Sequence, residues 1–239
     1  MSAKTTVVLV HGAWADGSSW SCVIPLLQEA GFEVTAAQIP LTSLADDVAV
    51  TRRILHMKKA PVILVGHAYG GMVISEAAAS AQNVTSLVYI SAFASAEGET
   101  MGEISARIPA SPGATPLRFN DPGFVWIDPE LFPQVFAHDL DPVQACALAS
   151  VQKPIAAKVF GERPGRPAWT SLRSWYLISE DDRIIAPDTQ RFMAQRMGAT
   201  VRTVAGSHAS LISHAPQVAE LIAEAAKAAQ HLESMKAVG

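Results

Sequence analysis

A doubly wound, mostly parallel α/β sheet of about six strands, interrupted by a helical insertion, is the fold class this sequence predicts. Three observations carry it. Short runs rich in β-formers alternate with helical patterns; most of those runs are apolar throughout, as strands covered on both faces are; and the alternation breaks over one long central stretch. With 239 residues, 49% of them hydrophobic, the chain is long enough for one well-buried core.

The strands are expected at Val7–Val10, Glu33–Ala37, Val62–Val65, Ser86–Ile90, Trp175–Ile178 and Thr200–Val204. Between the first two, Trp20, Ile24 and Leu27 recur at helical spacing and Gly31 supplies a stop. Ser43 is placed to cap the next helix, with Asp46 and Asp47 in its first turn. Near the C-terminus Pro216 opens a helix carrying Val218, Leu221, Ile222 and Ala225 on one stripe, and the Ala/Lys/Gln-rich tail after Ala223 is expected to fray. The β-α alternation fails between about Ala94 and Trp169, a stretch with several prolines, the aromatics Phe119, Phe124, Trp126, Phe132 and Phe136, and helical patterns at Pro129–Ala137 and Pro142–Val151. No convincing sheet strand appears there. An insertion this long is not expected to be a structureless loop. Residues 95–169 are therefore assigned to a helical cap over the C-terminal edge of the sheet, where open α/β folds bind ligands, and residues 1–94 and 170–239 to the core.

Charge and cysteine usage exclude several classes. A net charge of −4 with no basic stripe makes nucleic acid an unsuitable partner. Cys22 and Cys146 lack any metal-site or disulfide spacing, so no metal site is expected. No apolar run is long enough to cross a membrane, and Met-Ser-Ala-Lys-Thr-Thr runs into a strand without a signal-peptide core, so a cytoplasmic setting away from membranes is expected.

The chemistry starts at Val62-Ile-Leu-Val-Gly66-His67-Ala68-Tyr69-Gly70-Gly71, a strand entering a glycine-bracketed turn. In a G-x-S-x-G nucleophile elbow, such a turn lifts a serine hydroxyl above the sheet, and the flanking glycines relieve crowding. Here the glycines are present and the central residue is Ala68. After the strand ending at Ile178 comes Ser179-Glu180-Asp181-Asp182-Arg183, and after the one ending at Val204 comes Ala205-Gly206-Ser207-His208. Nucleophile position, acid and histidine thus follow in the α/β-hydrolase order, each in the turn after a predicted strand. A serine hydroxyl needs a base to take its proton, and the imidazole needs a carboxylate to hold its tautomer. Spacing alone does not separate Asp181 from Asp182.

A developing oxyanion needs two preorganised N–H donors, and the residue after the nucleophile position, Tyr69, and the loop residue Ala13 in Val10-His11-Gly12-Ala13-Trp14 occupy the two usual places. Gly12 allows that loop to approach closely. Gly12, Trp14, Phe93 and the cap residues Phe124 and Trp126 are expected to line the substrate pocket. His67 reads as a structural residue beneath the turn, and His138 and His214 as surface or cap histidines. Ser91 and Ser207 sit on no elbow, so neither is a substitute nucleophile.

At HGAWADGSSW, VGHxxGG, LVYISAFA, SEDDRIIAPDTQRFMAQRMGA and GSHASLISHAPQVA the chain resembles small bacterial α/β-hydrolases similar to the plant methylesterase and hydroxynitrile lyase group. The likeness runs over nearly the whole chain, is strongest outside the cap, and fails at Ala68, where that family carries serine. It implies the α/β-hydrolase fold, esterase chemistry and Asp182, directly before Arg183, as the acid. The lyases of the group carry threonine at the place of Gly12 and lysine after the histidine, at the place of Ala209; the residues present here are similar to the esterase branch.

The expected activity is hydrolysis of a small or medium apolar carboxylic ester, with no metal and no organic cofactor; a homodimer is left open. Ala68 admits three explanations: a deliberate serine-to-alanine replacement, a natural serine-less member in which a His-Asp pair abstracts a proton from substrate as in cofactor-independent dioxygenases of this fold, or a non-catalytic ligand-binding protein.

Overall fold

The computed structural model describes residues 5–108, 118–121 and 123–238, with backbone alone at 118–121 and 232–238. All six central strands lie within two residues of their expected bounds: β1 (Thr6–Val10), α1 (Val23–Glu29), β2 (Glu33–Ala36), α2 (Leu44–Met57), β3 (Val62–His67), α3 (Gly70–Ala77) and β4 (Val84–Ile90) precede the insertion. After it come β8 (Ser174–Ser179), α7 (Pro187–Met197), β9 (Thr200–Val204), α8 (Ser210–Ser213) and α9 (Ala215–Val238). The sheet has the order β2-β1-β3-β4-β8-β9, and each neighbouring pair is parallel.

Two cores explain the unbroken apolar runs. Val8, Val10, Leu64, Leu87, Tyr89, Tyr176 and Ile178 face one side, packed with α2, α3 and the insertion. Val7, Leu9, Ile63, Val65, Val88, Ile90, Trp175 and Leu177 face the other, packed with α1 and α9. Alternate residues of every inner strand are thus buried, so period-two polarity cannot show in the sequence. β9 is an edge, and Thr200–Thr203 are exposed.

Local chemistry sets the helix ends as expected at Ser43, whose hydroxyl accepts from the Asp46 N–H, and at Gly31, which lies at φ +89 just beyond α1. Asp46 and Asp47 both lie in the first turn as expected, and Asp47 is fully buried and turned inward. The C-terminal tail does not break at Ala223, since α9 continues to Val238 and Ala225, Ala226 and Ala229 are buried against the sheet.

The insertion is only partly helical. It contains α4 (Met101–Arg107), β5 (Arg118–Asp121), β6 (Phe124–Trp126), α5 (Phe132–Phe136), α6 (Pro142–Val151) and β7 (Ile155–Ala156), and its three strands form a separate antiparallel sheet. The expectation of no strand there was wrong because these strands have two to four residues, too few for a periodic signal. The Phe119 side chain lies outside the described residues. Among the described residues no helix is long and apolar enough to cross a membrane.

The turn after β3 depends on two close approaches. A Cβ on Gly66 would stand 2.6 Å from the Gly70 carbonyl oxygen, and one on Gly70 would stand 2.6 Å from the Val10 oxygen and 2.7 Å from that of His11. Because the obstacles are backbone, Gly70→Ala is expected to cost about 2–3 kcal/mol and lower the melting temperature by roughly 5–10 °C. Calorimetric melting of the variant checks this.

Candidate active site

Ala68, Asp182 and His208 come from the turns after β3, β8 and β9, on one edge of the parallel sheet. Ala68 is held at φ +51, a left-handed conformation that costs a non-glycine residue of order 1–3 kcal/mol. Its backbone is fastened on both sides. Its N–H donates to the Ile90 carbonyl at 3.2 Å, and its carbonyl accepts from Phe93 at 2.9 Å and from Gly71 at 3.1 Å. The elbow therefore persists with a methyl group at its tip.

His208 is 1% exposed, and its Nδ1–H donates to Asp182 Oδ2 at 2.7 Å. The carboxylate is organised by further donors: the Ile184 and Ile185 N–H groups reach Oδ1 at 2.7 and 2.9 Å, and Gln190 Nε2 reaches Oδ2 at 2.9 Å. With Nδ1 acting as donor, the other ring nitrogen, Nε2, is the basic one, and it is buried without a hydrogen-bond partner among the described residues. Asp181, by contrast, is exposed. The geometry places Asp182, not Asp181, against the histidine.

The loop carrying His208 is gripped from the insertion. Ser207 N–H donates to Asp139 at 2.9 Å, Ser207 Oγ donates to the Phe136 carbonyl at 3.1 Å, and Ala209 N–H donates to the same carbonyl at 3.0 Å. His214, read from sequence as having no nameable partner, meets Ser213 Oγ at 2.9 Å in the same cluster. From below, His67 Nε2–H donates to the His208 carbonyl at 2.9 Å, with the two rings 4.7 Å apart. Burial depresses the His67 pKa well below the usual histidine value, so the ring is neutral and packs beneath the turn against Trp20 and Phe136.

Ala13 and Tyr69 line one cavity, and neither backbone N–H donates to a described residue. The loop bearing Ala13 is fixed by His11, which is fully buried. Ile39 N–H donates to its Nε2 at 3.2 Å, so Nδ1 carries the proton and donates to the Gly12 carbonyl at 2.9 Å. Burial lowers the His11 pKa to about 4, which keeps this tautomer neutral. A Cβ on Gly12 would lie 2.5 Å from the Ala68 methyl carbon and 3.0 Å from the His67 oxygen, so this position is closed to any side chain while the elbow stays in place.

These groups open into a cavity of about 290 Å³ lined by Ala13, Trp14, Ala68, Tyr69, Phe93, Met101, Phe160, Ile184, Ile185 and His208, with Gly102, Ser105 and Arg183 completing it. Of the expected pocket residues, Trp14 and Phe93 line it. Gly12 does not, being packed under Ala68. Phe124 and Trp126 do not either: strand alternation in β6 gives the fully buried place to Val125 and leaves its aromatic neighbours half-buried on the other face. β6 instead meets the site through backbone, since the Trp14 indole N–H donates to the Val125 carbonyl at 3.1 Å. Met101, Ser105, Phe160, Ile184 and Ile185 were missed. Ile184 and Ile185 stand two and three residues after the acid and were within reach of the motif; the others depend on how the insertion folds back. Among the described residues no group of three or more His, Cys, Asp or Glu side chains could hold a metal ion.

A protein from Aspergillus novofumigatus (strain IBT 16806), the alpha/beta hydrolase nvfD, is 26% identical over 93% of this chain and 97% of its own length. A carbendazim hydrolyzing esterase from Nocardioides sp. (strain SG-4G) is 30% identical over 70% of this chain and 66% of its own. Among solved structures, polyneuridine aldehyde esterase superposes with a TM-score of 0.79 at 18% identity, over 93% of this chain and 99% of that one, a likeness of fold with the plant group that the motifs resemble. The model of the alpha/beta hydrolase family matches residues 7–221, from β1 into α9, and the chain belongs to that family.

Proposed function

We propose that this site is built for carboxylic-ester hydrolysis by a Ser-His-Asp relay, and that alanine at the nucleophile position leaves the chain able to hold an ester without forming an acyl-enzyme. The observation that carries the reading is the pairing of a strained elbow at Ala68 with a histidine whose Nδ1 is engaged by Asp182 and whose Nε2 is buried and unpartnered. A methyl group has no use for a left-handed backbone that presents it to a base; a hydroxyl does. In the serine form His208 takes the hydroxyl proton, the oxygen attacks the ester carbon, and the Ala13 and Tyr69 N–H groups receive the oxyanion. His208 then returns the proton to the leaving alcohol, and water reverses the sequence.

The substrate class follows from the walls. A volume of about 290 Å³ sits near the lower end of small-molecule pockets, and its lining is apolar apart from the reacting groups, Ser105 and Arg183. A small or medium apolar ester fits. The relative from Nocardioides is itself an esterase, which supports the class without naming the substrate. Ala209 stands after the histidine, so no lysine ammonium is available there to receive a departing cyanide, which favours the esterase reading over the lyase one.

One observation favours a second reading. With the base and its carboxylate intact and no hydroxyl to activate, His208 can abstract a proton from a bound carbonyl compound, the resulting enolate lying on the same two donors. Oxygen consumption or isomerisation that depends on His208 in the unaltered chain would establish this reading in place of the first.

The chain as it stands is expected to bind an intact ester, because most affinity comes from contacts other than the attacking atom. In a soaked crystal the ester carbonyl oxygen should lie within hydrogen-bond distance of the Ala13 and Tyr69 N–H groups, with the acyl carbon above the Ala68 methyl. A carbonyl turned away from those donors, or no binding by calorimetry well above the KM of the serine form, would reject the proposal.

A further inference from the structure

Asp47 is a buried carboxylate that the chemistry above does not use. It lies in α2 with 0% exposure, and its two oxygens serve two distant pieces of chain. Oδ2 accepts the Tyr69 hydroxyl at 2.7 Å; Oδ1 accepts the Leu41 N–H at 2.7 Å, in the loop between β2 and α2, where Leu41 itself has φ +64. We propose that Asp47, acting through the Tyr69 phenol, is a positioning residue that fixes the second oxyanion donor. This rests on the reading of the Tyr69 N–H as that donor.

The argument begins with the peptide between Ala68 and Tyr69. Its N–H has no described acceptor, while the carbonyl of the same planar unit accepts from Phe93 and Gly71 and orients the peptide from the elbow side. The Tyr69 side chain adds a second anchor, from the other side. Ala68 is pinned by hydrogen bonds to β4 and the segment after it, and Tyr69 is pinned at the far end of its side chain by Asp47. The Tyr69 ring is 2% exposed and its hydroxyl reaches a different helix, so the phenol works as a strut from α2 to the elbow. A donor that is held before charge develops needs no reorganisation when the oxyanion forms, which is the source of its effect.

The choice of residues supports a role beyond packing. Burial raises the Asp47 pKa to about 6, and the Lys153 ammonium that acts on it through space is itself bonded to the Ile39 carbonyl. No ion pair is made to Asp47 by any described residue. Buried charges of this kind can commonly be replaced by apolar groups without loss of stability, so holding α2 against α3 does not require one. What the pair supplies and an apolar contact does not is a short, directional link, charge-assisted in the ionised state, to the residue next to Ala68.

The test uses the Ala68→Ser form and three further changes in it: Tyr69→Phe, which keeps ring and backbone N–H; Asp47→Asn; and both together, which avoids leaving a carboxylate buried with one donor. Positioning predicts that kcat toward an activated ester falls about 10- to 100-fold while KM changes less than about threefold. A trifluoromethyl ketone, whose serine adduct places an oxyanion on the donors, should lose affinity by the same factor as kcat. With Ala68 kept, the Tyr69 amide resonance should shift or broaden on Asp47→Asn while that of Ala13 stays put. Unchanged kcat and ketone affinity, with or without a drop in melting temperature, would overturn the proposal and leave the pair as a fold anchor only. So would an unmoved Tyr69 amide. If the Ala68→Ser form hydrolyses no ester, the underlying reading fails, a result separable because it precedes any change at 47 or 69, and the amide measurement still decides whether Asp47 holds this peptide.

Discussion

Replacing Ala68 by serine is expected to raise ester hydrolysis by about 10⁴- to 10⁶-fold, the scale on which single triad members matter elsewhere. The rest of the machinery needs no adjustment. The elbow already holds residue 68 at φ +51, the imidazole already has its tautomer set by the 2.7 Å contact to Asp182, and Nε2 has no competing partner to surrender. Serine keeps the β-carbon that Ala68 already places at the tip of the elbow. Stopped-flow measurement with p-nitrophenyl esters of increasing acyl length checks the result, with a burst of alcohol release wherever deacylation is slow. A serine form that folds normally and remains as inactive as the parent would remove the esterase reading.

In that serine background, His208→Ala is expected to abolish nearly all of the gain, about 10⁴- to 10⁶-fold in kcat, and Asp182→Asn to remove up to about 10⁴-fold by leaving the ring in the wrong tautomer. Asp181→Asn should alter kcat by less than about threefold. The contrast between the adjacent acids is the informative part. Asp182 is fully buried and receives the histidine, two backbone N–H groups and Gln190, whereas Asp181 is exposed. An amide at 182 keeps the shape but presents a donor to the Nδ1–H, so the imidazole must rotate or shift its proton. Steady-state kinetics on the four proteins decide the matter, and sensitivity at 181 instead of 182 would reverse the assignment.

What the sequence made legible was whatever depends on neighbours along the chain. The inner strands were found because two covered faces leave them almost wholly apolar, the turn after β3 because glycines bracket it, and the turns after β8 and β9 because Glu180-Asp181-Asp182 and Gly206-Ser207-His208 end the strand patterns. Choosing Asp182 over Asp181 was beyond spacing and needed the family pattern. Asp47 was read as a first-turn acid because on a helical wheel it is one; nothing local tells that it turns inward to Tyr69. Gln190, which clasps Asp182 from α7, and Asp139, which holds the Ser207 N–H from the insertion, are invisible for the same reason: their partners lie 8 and 68 residues away, and only the fold brings them together. Phe124 and Trp126 are aromatic without lining the pocket, because a three-residue strand places both in a small separate sheet.

The contact between Gly12 and Ala68 couples two positions that would otherwise vary independently. Any β-carbon at residue 12 would stand 2.5 Å from the one at residue 68, and the backbone on both sides is fixed, by the His11–Gly12 hydrogen bond and by the bonds from Ile90 and Phe93. Threonine at residue 12, the pattern of the lyases in the similar plant group, is therefore not one substitution away. It requires the first loop to move before it can be tolerated, so a single-step path between the two patterns passes through a clashing protein whichever residue occupies the elbow. The order of changes is constrained by geometry: backbone first, side chain second. At a fixed backbone, what residue 12 can carry is therefore decided by where the elbow holds residue 68.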